Sequence, residues 1–230
     1  MLSFDSFFPH SVLTFVTDHQ TDFSFYEGGL SVEQRSFLKR HAGEYPVINI
    51  RQVHGGDVLV VNEDMVAGQF YEADGVLTDK PDVLLCVRTA DCLSVFLCDP
   101  KTKVIGVVHA GWRGTQENIV GHAVRQIIEV YGASPGHIKA AFGPCICGSC
   151  YEVGTEFLDY FPGHIHQKDN KVYFDLVAAN NSQLTAEGVL AENIFKSSIC
   201  TFEQNSYFSY RRDGKNTGRI LSAIMIKSKP

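Results

Sequence analysis

Several classes of protein are excluded by what this sequence lacks. None of its apolar runs approaches the ~20 residues that cross a bilayer, so no membrane partner is expected. It has no basic block, and Lys+Arg 20 against Asp+Glu 26 leave a formal net charge of -6. Such a chain is poorly suited to grip nucleic acid through its phosphates. No Pro/Gly/Ser linker, charge run or internal repeat divides it, so one domain over 1–230 is expected. The opening segment MLSFDSFFPHSVL has no basic residue before its apolar part and carries Asp5, unlike a secretory signal. A cytoplasmic location is therefore the expectation. The cysteine count, seven, is odd, and this argues against a disulfide framework and for thiols or metal ligands. With 44% hydrophobic and 20% charged residues, the composition is that of an ordinary globular protein.

Strand-like apolar runs occupy 11–17, 46–53, 57–62, 83–88, 93–98, 104–108, 138–142 and 219–227. Their spacing is mostly too short for crossover helices, which favours antiparallel or mixed pairing. Helices are expected at 31–42, with Ser31 as N-cap and Gly43 past the end, and at 152–161 and 175–187. The clearest helix runs from about Thr115 to Tyr131, where Ile119, Ala123, Ile127 and Tyr131 recur at helical spacing before Gly132. The fold class is α+β, with mixed, largely antiparallel sheets and flanking helices.

Four segments place polar residues at the ends of apolar runs, where chemistry is usually mounted. They are Arg51–Gly56, Arg88–Cys92, His109–Thr115 and Tyr210–Gly214. His54, Cys92 and His109 form a donor set of two imidazoles and one thiol. That set suits zinc with one position left open, and it also suits copper. The same atoms serve a metal-free reading, with Cys92 as nucleophile, His109 or His54 as base and Asp91 orienting the imidazole. Residue types alone leave these alternatives open, along with two ordinary histidines and a strand cysteine. The turn at Gly111–Gly114 leads into a helix, and Arg113 beside it makes an anion pocket plausible. Arg211 and Arg212, next to Tyr207, Phe208 and Tyr210, are candidates to hold a phosphate or stack on a base. Cys145, Cys147 and Cys150 form a tight cluster with no obvious fourth ligand; His164 and His166 are the nearest in sequence, and a loop at the site rim is expected instead. Cys86, Cys98 and Cys200 are expected in the core.

RQVHG, TADC, VHAGWRGT, CYEVG and FSYRRDG-x2-TGR, in this order over about 47 to 226, resemble the multicopper polyphenol oxidase or laccase-domain family. Its members are now regarded as purine nucleoside phosphorylases with adenosine deaminase activity. The resemblance implies a cysteine-hydrolase-like α+β fold and a zinc ion on His54, Cys92 and His109. It implies purine nucleosides and phosphate as partners, with phosphorolysis of adenosine, inosine, guanosine and methylthioadenosine and deamination of adenosine. Arg51 joins Arg113, Arg211 and Arg212 as candidates for binding substrate or phosphate, and Asp91 stands with the three ligands as a catalytic candidate. A monomer or homodimer is expected. A copper-dependent polyphenol oxidase, a cysteine hydrolase using Cys92 and a weakened nucleoside-binding protein are the alternatives. Oxidase chemistry on several coppers needs many histidines, and only His54 and His109 of the nine lie in such motifs. The family's N-terminal serine-threonine-arginine stretch is replaced here by Phe15-Val16-Thr17-Asp18-His19, and its glycine pair, Gly28-Gly29, comes late.

Overall fold

A computed structural model describes residues 1–24, 29–62, 64–65 and 69–228, so Gly28 of the late glycine pair lies outside the described residues. In chain order the first half holds β1 (Val12–Val16), α1 (Val32–His41), β2 (Val47–Arg51), β3 (Val58–Val60), β4 (Phe70–Glu72), β5 (Gly75–Thr78), β6 (Leu84–Thr89), β7 (Leu93–Asp99) and β8 (Val104–Ala110). The second half holds α2 (Trp112–Gln116), α3 (Ile119–Tyr131), β9 (Lys139–Phe142), β10 (Glu152–Val153), α4 (Phe157–Tyr160), β11 (Ile165–Lys168), β12 (Lys171–Phe174), α5 (Leu176–Ala186), β13 (Ile194–Lys196), α6 (Tyr210–Asp213) and β14 (Ile220–Ile226).

The strands form a five-stranded sheet in the order β1-β14-β6-β2-β4, a six-stranded sheet in the order β13-β9-β7-β8-β5-β3, and a small sheet in the order β10-β12-β11. The two large sheets are mixed. Their long central strands pair antiparallel, while β2/β4, β2/β6, β3/β5 and β9/β13 pair parallel. This is the α+β architecture the sequence implied. β6, β7, β8 and β14 are buried along their whole length. Burial on both faces explains why they are near-continuous apolar runs rather than alternating ones.

The large sheets stack on one another. Ile48, Ile50, Leu85, Val87 and Ile224 of one face Val76, Phe96, Ile105 and Val107 of the other. Residues of opposite parity on β6 and β14, namely Leu84, Cys86, Leu221 and Ala223, turn outward to Leu38 of α1. On the far side, Leu93, Val95, Leu97 and Val108 pack on Ile119, Val120, Ala123 and Ile127 of α3 and on Leu184 of α5. The order of layers is helix, sheet, sheet, helices.

Ser31 caps α1 in a reciprocal capping box with Gln34, as expected. Gly132 ends α3 in the left-handed region at φ +67. Two expectations are corrected, and one hairpin had no expectation. The helix expected from Thr115 to Tyr131 begins at Trp112 and breaks at Asn118, which sits at φ +59. An asparagine tolerates that conformation, and helical periodicity passes through such a break unnoticed. The break lets α2 lie so close to the turn at 54–56 that a Cβ on Gly114 would be 2.7 Å from the Gly55 carbonyl. The helix expected at 152–161 is β10 followed by the short α4, because Glu152 and Val153 pair with β12. The hairpin β11–β12 carried no apolar signal. Asp169 and Asn170, both at positive φ, form its turn.

Candidate metal centre and active site

His54 follows β2, Cys92 lies in the tight turn between β6 and β7, and His109 sits near the end of β8. β6 belongs to one large sheet and β7 and β8 to the other, so the three residues meet where the stacked sheets converge. One donor atom from each lies within 4.8 Å of the others. The two imidazoles stand nearly perpendicular, at 87° with centroids 4.8 Å apart. Gly111 closes the cradle: a Cβ there would be 3.2 Å from Cys92 Sγ and 3.3 Å from His54 Cδ2.

One buried carboxylate organises this geometry. Asp74 Oδ1 accepts from His109 Nδ1 at 2.7 Å, and the His109 amide donates to the Asp74 carbonyl at 2.6 Å. The amides of Val53, His54 and Gly55 donate to the same carboxylate at 3.0, 3.0 and 2.8 Å. They hold His54 in the left-handed region at φ +62, a conformation sustained only when its surroundings insist on it. Burial would push the Asp74 carboxyl up, but the bonds from His109, Gly55 and Val53 prevail and hold it below the usual carboxylate range. With Nδ1 committed to Asp74, His109 presents Nε2 to the donor set. Burial would likewise raise the Cys92 thiol, but the charge and hydrogen bond of His109, helped by His54, bring it down to about 6. The His109 imidazole is pushed up to about 9: burial opposes this, and the Cys92 thiolate and Asp74 outweigh it.

The role the sequence suggested for Asp91 belongs to Asp74. The Asp91 carboxylate accepts from Thr201 Oγ1 and from the Arg211 amide, both at 2.6 Å, and so ties two loops to the site rather than orienting an imidazole. Asp74 lies before Gly75 with no motif around it, and nothing in the sequence marks it as the partner of His109.

The donor set opens into a cavity of about 850 Å³, within the range of small-molecule sites. Of the arginines the sequence singled out, Arg51, Arg113 and Arg211 line it, together with Arg88 and Arg219. Arg88 is 8% exposed, and its Nε is buried without a partner. A charged residue at the end of the apolar run VLLCVRT was the available signal for it. Arg212 is corrected: its guanidinium clamps the carbonyls of Thr201 and Tyr207 and pairs with Asp213, outside the cavity lining. Trp112, under Arg113 at 5.0 Å, and Tyr151, under Arg211 at 5.2 Å, supply aromatic faces. The helix entered through GWRGT spans five residues, so positive charge at the cavity comes from arginine side chains.

The family model of the multi-copper polyphenol oxidoreductase laccases matches residues 31–227. The chain belongs to this family. Within similar proteins, the purine nucleoside phosphorylase of Deinococcus radiodurans is 39% identical over 180 residues, 76% of this chain and 68% of that one. Adenosine deaminase RL5, from an unknown prokaryotic organism, is 36% identical over 197 residues, covering 77% and 74%. The crystal structure of YlmD from Geobacillus stearothermophilus superposes with a TM-score of 0.83 at 29% identity, covering 95% of this chain and 93% of that one. Bacillus licheniformis YfiH gives 0.85 at 26%, covering 95% and 94%. His54, Cys92 and His109, expected from the sequence resemblance, share one cradle here. Among the described residues, no helix is long and apolar enough to cross a membrane.

Proposed function

We propose that this chain is a zinc-dependent purine nucleoside phosphorylase with adenosine deaminase activity. Its substrates would be adenosine, inosine, guanosine and methylthioadenosine. One observation carries the reading: a compact set of two imidazoles and one thiolate opens into a cavity lined by arginines and aromatic faces. The donor set fits zinc, since two imidazoles and one thiol are ligand types zinc takes and three protein donors leave a fourth tetrahedral position. Zinc there would supply Lewis acidity that makes water a nucleophile near neutral pH, the requirement for replacing the adenine amino group by oxygen.

The chain's own residues account for the rest. Arg88, which has an unpartnered buried donor, and the neighbouring Arg219 and Arg51 form an anion-binding wall suited to phosphate. Phosphate held there would attack the ribose carbon and release free base and ribose 1-phosphate. Trp112 and Tyr151 offer planar surfaces for a purine, and the arginines over them confine it. This wall uses none of the N-terminal arginine that the family usually carries.

The test incubates metal-loaded protein with adenosine, with and without phosphate. Adenine with ribose 1-phosphate supports phosphorolysis, inosine without phosphate supports deamination, and no conversion of any purine nucleoside overturns the reading. Cys92→Ala is expected to lose bound metal and activity together. The loss should exceed ~100-fold, because even an outer partner of a metal ligand costs about 10–100-fold. Normal metal content with vanished activity would make the thiol a nucleophile instead. Gly111→Ala has an ordinary backbone conformation to adopt (φ -78, ψ 173), so its melting temperature should barely change. Its methyl group pushes Cys92 and His54 apart, and turnover is expected to fall by about 100-fold. Wild-type kcat/KM in this variant would show that the donor set has slack.

A further inference from the structure

Cys147, Cys150, Cys200 and Glu203 bring a second set of donor atoms within 4.8 Å of one another. The sequence showed a cysteine cluster without a fourth ligand and assigned Cys200 to the core; the fold completes the set. Cys147-Gly148-Ser149-Cys150 is a C-x2-C turn in which the amides of Cys150 and Tyr151 both donate to the Cys147 carbonyl at 3.0 Å. A short parallel bridge, Cys145 with Cys200, brings the second segment alongside. Its bonds are Cys145 N to Ile199 O at 3.2 Å and Thr201 N to Cys145 O at 3.0 Å.

We infer that these four residues form a second metal centre, structural in kind, that takes zinc. Tetrahedral zinc with sulfur ligands at ~2.3 Å sets the sulfurs about 3.8 Å apart, so the observed set needs to contract by no more than about an ångström. Two of the three sulfurs already have hydrogen-bonding partners. The Cys147 amide donates to Cys200 Sγ at 3.3 Å, and Ser149 Oγ lies 3.1 Å from Cys147 Sγ. Such bonds to the sulfurs are the outer partners that orient and stabilise metal-bound thiolates. Cys150 Sγ donates to Glu203 Oε1 at 3.5 Å, and zinc would take that proton's place between the two groups. The Arg212 guanidinium binds the carbonyls of Thr201, Phe202 and Gln204 around Glu203, placing positive charge beside a set with excess negative charge. Cys147 and Cys150 are half-buried and Glu203 is exposed, so an ion can enter from solvent.

Four protein ligands leave no open position, which makes this centre a staple. It joins the loop 145–151 to the segment 199–203. Both are fastened to Asp91, through the Ile146 amide to its carbonyl at 3.0 Å and Thr201 Oγ1 to its carboxylate at 2.6 Å. Asp91 precedes Cys92, and Ile146 and Tyr151 line the cavity. The staple holds one wall of the active site.

The test counts zinc per chain by mass spectrometry in protein purified under reducing conditions, and records cobalt-substituted spectra. Cys92→Ser disables the first donor set and should keep one ion, with strong thiolate-to-cobalt charge-transfer absorption. Cys92→Ser/Cys150→Ser should lose that ion and the absorption, and melt at a lower temperature that added zinc no longer raises. Glu203→Gln alters an exposed side chain, and against the Cys92→Ser background should bind zinc at least ten-fold more weakly. A Cys92→Ser chain that folds but takes up no thiolate-bound cobalt overturns the proposal. So does a disulfide within the cluster that persists in reduced, zinc-supplemented protein. If the serine variants do not fold, release of one zinc per chain to a chelator at an at least ten-fold lower concentration from Glu203→Gln than from wild type upholds it, and identical retention overturns it.

Discussion

Asp74→Ala is expected to cost this protein much of its stability and its hold on metal at the same time. The carboxylate is completely buried and accepts from three successive backbone amides and from His109. Removing it leaves four donors without their acceptor, the buried His109 Nδ1 among them, and each one that stays out of reach of water costs about 1–3 kcal/mol. Breaking a buried charged pair costs about 3–5 kcal/mol in total, a large share of the ~5–15 kcal/mol that keeps a typical domain folded. Asp74→Asn separates the two effects. An asparagine oxygen still accepts, but its amide must face either the turn amides or His109 Nδ1. If it faces Nδ1, that nitrogen must accept, the ring proton moves to Nε2, and the ligating lone pair is lost. Metal affinity is therefore expected to fall by about 10–100-fold in the Asn variant, measured by competition with a chelator, with a smaller fall in melting temperature than for alanine. An Asn variant that binds metal as the wild type does would show that the Asp74 bond does not choose the tautomer.

Phe96→Ala is expected to have the largest effect on stability of any change away from the site. Phe96 is fully buried on β7, between the stacked sheets, with its ring 5.1 Å from that of Phe4. Removing a buried phenyl ring costs about 3–5 kcal/mol, partly in lost transfer energy and partly in the cavity left behind. In a chain of this size each kcal/mol lowers the melting temperature by about 2–4 °C, so a loss of roughly 6–20 °C is expected in a thermal melt. Phe96 does not line the candidate-site cavity, so the proposed activity should be kept below the melting transition. A loss under ~1 kcal/mol would mean that the layer between the sheets closes over the gap. Equal losses of activity and stability would mean that this layer positions the donor set.

Much of the molecule was legible in the residues. Ser31 with Gln34 marks the start of α1, Gly132 marks the end of α3, and the runs at 83–88, 93–98, 104–108 and 219–227 are strands. What escaped has one physical form. The break at Asn118, the β11–β12 hairpin and β10 depend on backbone conformations or pairings that leave no apolar period behind. At the site, the motifs led to His54, Cys92 and His109 because histidine and cysteine at strand ends are chemically conspicuous. Arg88 and Arg219 lay within or beside the same motifs without a role, since a guanidinium's partners are not written in its neighbours. Arg212 looked like a ligand-binding arginine and is a clamp on carbonyl groups.

By itself, then, the sequence determined the class of fold, the family and the types of donor available, because apolar patterning and reactive side chains are local properties. The tertiary structure decided which donors meet. It placed Asp74 against His109, gave Asp91 to Thr201 and Arg211, and completed the cysteine cluster with Cys200 and Glu203. Each of these pairings joins residues far apart in the chain. They are selected by how two stacked sheets bring their strand ends together, a relation that no single segment encodes.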